Sequence, residues 1–139
     1  EVDLGRNVII ARDASVGDNS TIGNNSKISR DTNVGDNVTI GRNTIIRGDS
    51  EVGDNAQIGN HVDVGANNQI GASTEIANNV WIGRDVVIGA DTIVGKNTEI
   101  RQGVEIGDNV QIGKNVIIKQ NTIVPAGTII PDGSIYPTH

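Results

Sequence analysis

The chain repeats every six residues. From Leu4 to Ile130 every sixth residue is aliphatic, 22 positions in succession, and all of them except Leu4 are Ile or Val. No insertion breaks the run. Two residues before each aliphatic stands a small or β-branched residue, Asn68 being the exception. One residue after it, Gly occurs in 14 of the 22 repeats. Three residues after it, Asn, Asp or Gly occurs in 20 of 22, the exceptions being His61 and Ser73. Residues two apart on a strand point to the same side, so the aliphatic and the small residue both face inward and the residue between them faces out. Ile, Val and Thr suit a strand through their stiff χ1. The Gly and Asn/Asp/Gly columns together mark a corner that needs φ > 0 near its end. A period of six does not fit a helix at 3.6 residues per turn.

Each hexad therefore predicts a strand of about three residues and a corner. Strands this short cannot stand alone, so successive coils must stack in parallel. Three hexads close a triangle, which predicts an all-β triangular solenoid of about 7.5 coils of about 18 residues, roughly 35 Å long at ~4.8 Å per coil. The expected domain organisation is one solenoid domain over 1–139, with a final partial coil and tail at about 131–139. Composition agrees with a narrow interior of Ile and Val, since the chain has no Phe, no Met, one Trp and one Tyr.

The hexad aliphatic–Gly–x–Asn/Asp–small–x, as in Val34-Gly35-Asp36-Asn37-Val38-Thr39 and Ile106-Gly107-Asp108-Asn109-Val110-Gln111, resembles the hexapeptide repeat of left-handed parallel β-helix proteins. The resemblance covers essentially the whole chain and implies the left-handed coil, an exception to the usual right-handed crossover. It also implies a family of acyltransferases that use acyl-CoA or acyl-carrier protein, γ-class carbonic anhydrases and non-catalytic members, many of them cytoplasmic homotrimers with sites between adjacent prisms. Ile46-Arg47-Gly48-Asp49 is similar to a trimer-interface segment of the γ-carbonic anhydrase-like branch. Val124-Pro125-Ala126-Gly127-Thr128-Ile129-Ile130-Pro131 is similar to the last coil of many hexapeptide transferases. The chain departs from both branches. It has no loop thrown out of the prism, no helix after it, and only two histidines, His61 and His139, where the carbonic anhydrases use three for zinc.

The remaining chemistry is sparse. Zero Cys removes disulfides, thiolate zinc sites and a cysteine nucleophile. A net charge of −6 argues against nucleic acid as a partner. The apolar runs are too short for a transmembrane helix or a signal peptide, which argues against a membrane partner. No metal site is expected, because one interior His is too few. No cofactor is expected either, since the glycines are spread as corners and form no phosphate-cradling loop. His61 is the one interior side chain with the chemistry of a general base. The resemblance places the catalytic His of several acyltransferases two residues after the aliphatic, whereas His61 stands three after, in the φ > 0 column where His is also tolerated.

Charge is sorted by corner. Asp18, Asp36 and Asp54 stack one coil apart on one corner, while Arg12 and Arg30, with Arg47 beside them and Arg84 and Arg101 further on, mark another. Stacked like charges repel unless compensated, so these edges are candidates for contact between prisms. The outward column of the second face adds Ile45, Trp81 and Ile117, and a large exposed ring is a common interface anchor. These readings lead to a self-associating structural scaffold, most simply a trimer, with no evident catalytic centre and no identified small-molecule ligand. The regular, loop-free sequence, which begins at Glu1 rather than Met, fits a rod-like fragment or an engineered, consensus-like protein. The alternative expectation is a hexapeptide acyltransferase or γ-carbonic anhydrase-like homotrimer with His61 at a subunit cleft.

Overall fold

Two residues of each hexad, the outward residue and the aliphatic after it, form a strand. In the computed structural model, which describes residues 1–138, 23 such strands run from Asp3–Leu4 to Ile135–Tyr136. They are shorter than the expected three residues because the small inward residue ahead of each strand belongs to the corner. His139 lies outside the described residues. The strands fall into three parallel sheets of eight, eight and seven, each strand pairing with those 18 residues before and after it. We call the sheets that begin at Asp3, Ile9 and Ser15 the first, second and third faces. The result is the triangular left-handed parallel β-helix that the hexad implies.

The interior is the aliphatic column. Ile22, Ile28, Ile46, Ile82, Ile100 and Ile118 are fully enclosed, and burying each such side chain contributes roughly 1.5–3 kcal/mol. The inward aliphatics of the first coil, Leu4 and Ile10, remain exposed. Tyr136 occupies the next inward position after Ile130 and packs, half-buried, against the core.

The small inward column carries the polar accounting. Ser20 donates to the Gly35 carbonyl at 3.0 Å and accepts from the Val38 N–H at 3.1 Å. Thr44 does the same one face on, to Gly59 at 2.8 Å and from Val62 at 3.3 Å. Asn68, the exception to the small-residue rule, performs both tasks with its amide: Nδ2 donates to Gly83 O at 2.9 Å, and Oδ1 accepts from Val86 N at 2.8 Å. Among the described residues no buried side-chain nitrogen or oxygen lacks a partner, as a dry interior requires.

The corner columns have separate causes. Every residue three after an aliphatic, from Asn7 to Gly133, has positive φ, including His61 at 58° and Ser73 at 59°. The glycine one after the aliphatic does not. It is small because the next coil lies against it: a Cβ on Gly41 would sit 2.6 Å from the carbonyl carbon of Gly59. The two corner columns thus answer different demands, backbone twist in one and close stacking in the other.

Candidate functional site

The outward column of the second face reads, in coil order, Ile45, Asp63, Trp81, Glu99 and Ile117, with each residue the direct cross-strand neighbour of the next. Trp81 therefore stands between two carboxylates. Each carboxylate turns to an arginine at the corner that ends this face. Asp63 accepts from Arg47 through both oxygens, Nε to Oδ1 and Nη2 to Oδ2, each at 3.3 Å. Glu99 accepts from Arg101 Nε at 2.8 Å. Both pairs are substantially solvent-exposed, so they contribute at most ~1 kcal/mol to stability. Their effect is to fix two long side chains on either side of the indole.

The corner itself supplies the space. One residue after the aliphatic, this corner holds Ala11, Ser29, Arg47, Gly65, Gly83, Arg101 and Lys119 in coil order. Two side-chain-free positions thus lie between two arginines. A cleft of about 750 Å³ opens there, with Gly65 and Gly83 at its back, Trp81 on one side, and Arg84, Gln102 and Gln120 along the corner. Trp81 is 46% exposed. The Arg84 guanidinium makes no hydrogen bond or ion pair among the described residues, although the Arg84 backbone carbonyl accepts from Gly103 N–H at 3.1 Å.

The structure gathers some of the candidates and separates others. Arg47 and Trp81 share the cleft. Ile45 and Ile117 lie on the same face, half-buried, two coils to either side of Trp81. Arg12 and Arg30 are further along the same corner; Arg30 borders a separate shallow depression with Lys27 and Asp49. The acidic stack belongs to another corner and is bonded within the chain. The Asp36 carboxylate accepts from Asp18 N–H, and that of Asp54 from Asp36 N–H, both at 2.9 Å. Asn60 and Asn78 make the same bond at the neighbouring corner. His61 is exposed at the corner where the second face begins, its N–H bonded to Arg42 O at 2.8 Å, two residues ahead of Asp63. No group of three His, Cys, Asp or Glu side chains gathers as a metal set among the described residues.

Asp63, Glu99, Gly65 and Gly83 are the site residues that the sequence reading did not single out. The signal of the glycines lies in the corner column, where the two interrupt a series of larger residues, and that of Asp63 and Glu99 lies in the outward column on either side of Trp81.

A family model described as the GMPPB C-terminal domain matches residues 4–98, and one described as bacterial transferase hexapeptide (six repeats) matches residues 85–120. The chain belongs to the GMPPB C-terminal domain family. It is thereby a hexapeptide-repeat protein, as the resemblance had implied. No curated protein matches it. Among solved structures it is similar to the acetyltransferase domain of PglB from Neisseria gonorrhoeae, at 16% identity and a TM-score of 0.58 over 94% of this chain and 54% of that one. It is similar to a hexapeptide transferase family protein from Anaplasma phagocytophilum, at 18% identity and a TM-score of 0.63 over 96% and 72%. The Arabidopsis UDP-N-acetylglucosamine acyltransferase matches at 18% identity and a TM-score of 0.56 over 96% and 68%. The chain thus spans about half the length of the PglB domain. At these identities the likeness establishes the fold.

The expectation of a scaffold without a catalytic centre is corrected by these relatives, which are acetyl- and acyltransferases and a hexapeptide transferase. Neither they nor the family match support a purely structural or an engineered protein. Arg47, Trp81 and Arg101 wall a cleft on an unbroken prism, because Gly65 and Gly83 leave room between them. No helix among the described residues is long and apolar enough to cross a membrane.

Proposed function

We propose that this chain is the β-helical part of an acyltransferase of the hexapeptide type, which works as a homo-oligomer, a trimer by resemblance, with the transfer site over the second face. The observation that carries the reading is the cleft around Trp81 on a prism whose solved relatives are transferases. An acceptor lies in the cleft, and His61 stands at the opposite edge of the same face. His61 stands two residues ahead of Asp63, which lines the cleft, at the corner where that strand begins.

The chemistry is transfer from a thioester, with acyl-CoA or acyl-carrier protein as donor. The acceptor hydroxyl or amine attacks the thioester carbonyl and gives its proton to the His61 imidazole. The C–S bond breaks, and the imidazole returns that proton to the departing thiolate. Imidazole suits this two-way transfer at neutral pH.

The test is release of free thiol from acetyl-CoA, with a panel of amino- and hydroxyl-bearing small molecules as acceptors. Acceptor-dependent release is expected, and His61→Asn should lower it by about 10²–10⁴-fold, the usual range for a lost general base. Asn is the commonest residue at this φ > 0 position, so the variant should stay folded. Absence of thiol release and of acetyl-CoA binding would overturn the transfer reading. Full activity of His61→Asn would remove His61 from it.

A further inference from the structure

Three arginines face the cleft, and two of them are already matched: Arg47 by Asp63 and Arg101 by Glu99. Arg84 is the third, and its guanidinium has no partner among the described residues. The cleft therefore presents one uncompensated positive charge on a chain whose net charge is −6. The Asp63 carboxylate accepts from Arg47 through both oxygens, so its negative charge is offset within the cleft wall. Beside Arg84 lies the exposed indole of Trp81, and behind both lie Gly65 and Gly83. The back wall cannot readily be filled by substitution, because a Cβ on Gly65 would stand 2.7 Å from the Arg84 backbone nitrogen.

These features recognise a particular chemistry. A guanidinium binds carboxylate or phosphate through charge-assisted, often bidentate hydrogen bonds. An indole face takes a flat or apolar body. We propose that the cleft binds a small organic anion, its flat or apolar body against Trp81 and its carboxylate or phosphate on Arg84. The inference deepens the transfer reading and rests on it in one respect: the bound anion is the acyl acceptor, which the anchor at Arg84 holds across the face toward His61.

Trp81 is the only tryptophan in the chain, so its emission reports this cleft alone. The experiment titrates the whole protein, without any acyl donor, with phenyl phosphate, benzoate and the neutral benzyl alcohol. Saturable changes in Trp81 emission are expected with at least one of the two anions, and benzyl alcohol should bind at least about tenfold more weakly. The tighter of the two anions tells phosphate from carboxylate. Arg84→Gln should weaken anion binding about tenfold or more and leave benzyl alcohol unchanged, whereas Arg12→Gln, on the same corner but remote from the cleft, should change neither. Equal affinity for anion and alcohol, or indifference to Arg84→Gln, overturns the proposal. It is also overturned if Trp81 emission is already that of a buried ring and Trp81→Glu dissociates the oligomer, because a second copy then covers the cleft. Anion binding without thiol release when acetyl-CoA is added would uphold the anion site and refute the acyl-transfer reading, so the two failures are distinguishable.

Discussion

A single buried amide shows how tightly each position is specified. Asn68 supplies a donor to Gly83 O and an acceptor to Val86 N–H inside the prism. Asn68→Ala leaves both backbone groups without partners, and we expect a loss of about 2–4 kcal/mol, seen as a lowered thermal midpoint. Asn68→Thr should recover much of that loss, since Thr74 in the same column reaches Gly89 O at 2.8 Å with its hydroxyl. His61→Asn, by contrast, should shift stability by no more than about 0.5 kcal/mol, because the corner requires only a residue that tolerates positive φ. The φ > 0 column, including His61 and Ser73, was legible in the sequence, as was the inward register. The reason for the glycine column was not. Its cause is the distance between stacked coils, as Gly41 against Gly59 shows, and no single hexad records that distance.

At the level of the strand and its corner, two substitutions separate packing from charge. Ile76 is an inward residue, 2% exposed, so Ile76→Asp buries an unpaired carboxylate and should abolish cooperative folding or lower the thermal midpoint severely. Near-native unfolding of that variant would contradict the register. Asp36 tests the acidic stack. Its Oδ1 accepts from Asp18 N–H, a bond an amide makes equally well, as Asn60 does for Arg42. Asp36→Asn should therefore preserve stability, and Asp36→Ala should cost about 0.5–1.5 kcal/mol by thermal or urea unfolding. If Asp36→Asn also leaves sedimentation unchanged, this edge plays no part in assembly. The sequence showed the stacked acids as a charge pattern. It did not show that backbone N–H groups compensate them, because those donors belong to the coil before.

For the molecule as a whole, the sequence revealed the prism and concealed the cleft. The prism follows from a six-residue period that every coil repeats. The cleft depends on what differs between coils at one corner, where Gly65 and Gly83 stand between Arg47 and Arg101 and Trp81 stands between Asp63 and Glu99. Trp81 and Arg47 each deviate from the period singly, and only the 18-residue stacking joins them. Assembly gives a further expectation. Arg12→Glu and Arg30→Glu should shift sedimentation toward smaller species if these edges meet between copies, and added salt should act in the same direction, since exposed pairs are screened beyond ~8 Å. The most direct test of the account is a crystal structure of the protein grown with acetyl-CoA. The thioester is expected over the second face, its carbonyl carbon close enough to His61 for an acceptor atom to lie between them, with the cleft at Trp81 left open to receive the acceptor. A donor bound on the first or third face, remote from His61 and Trp81, would contradict it.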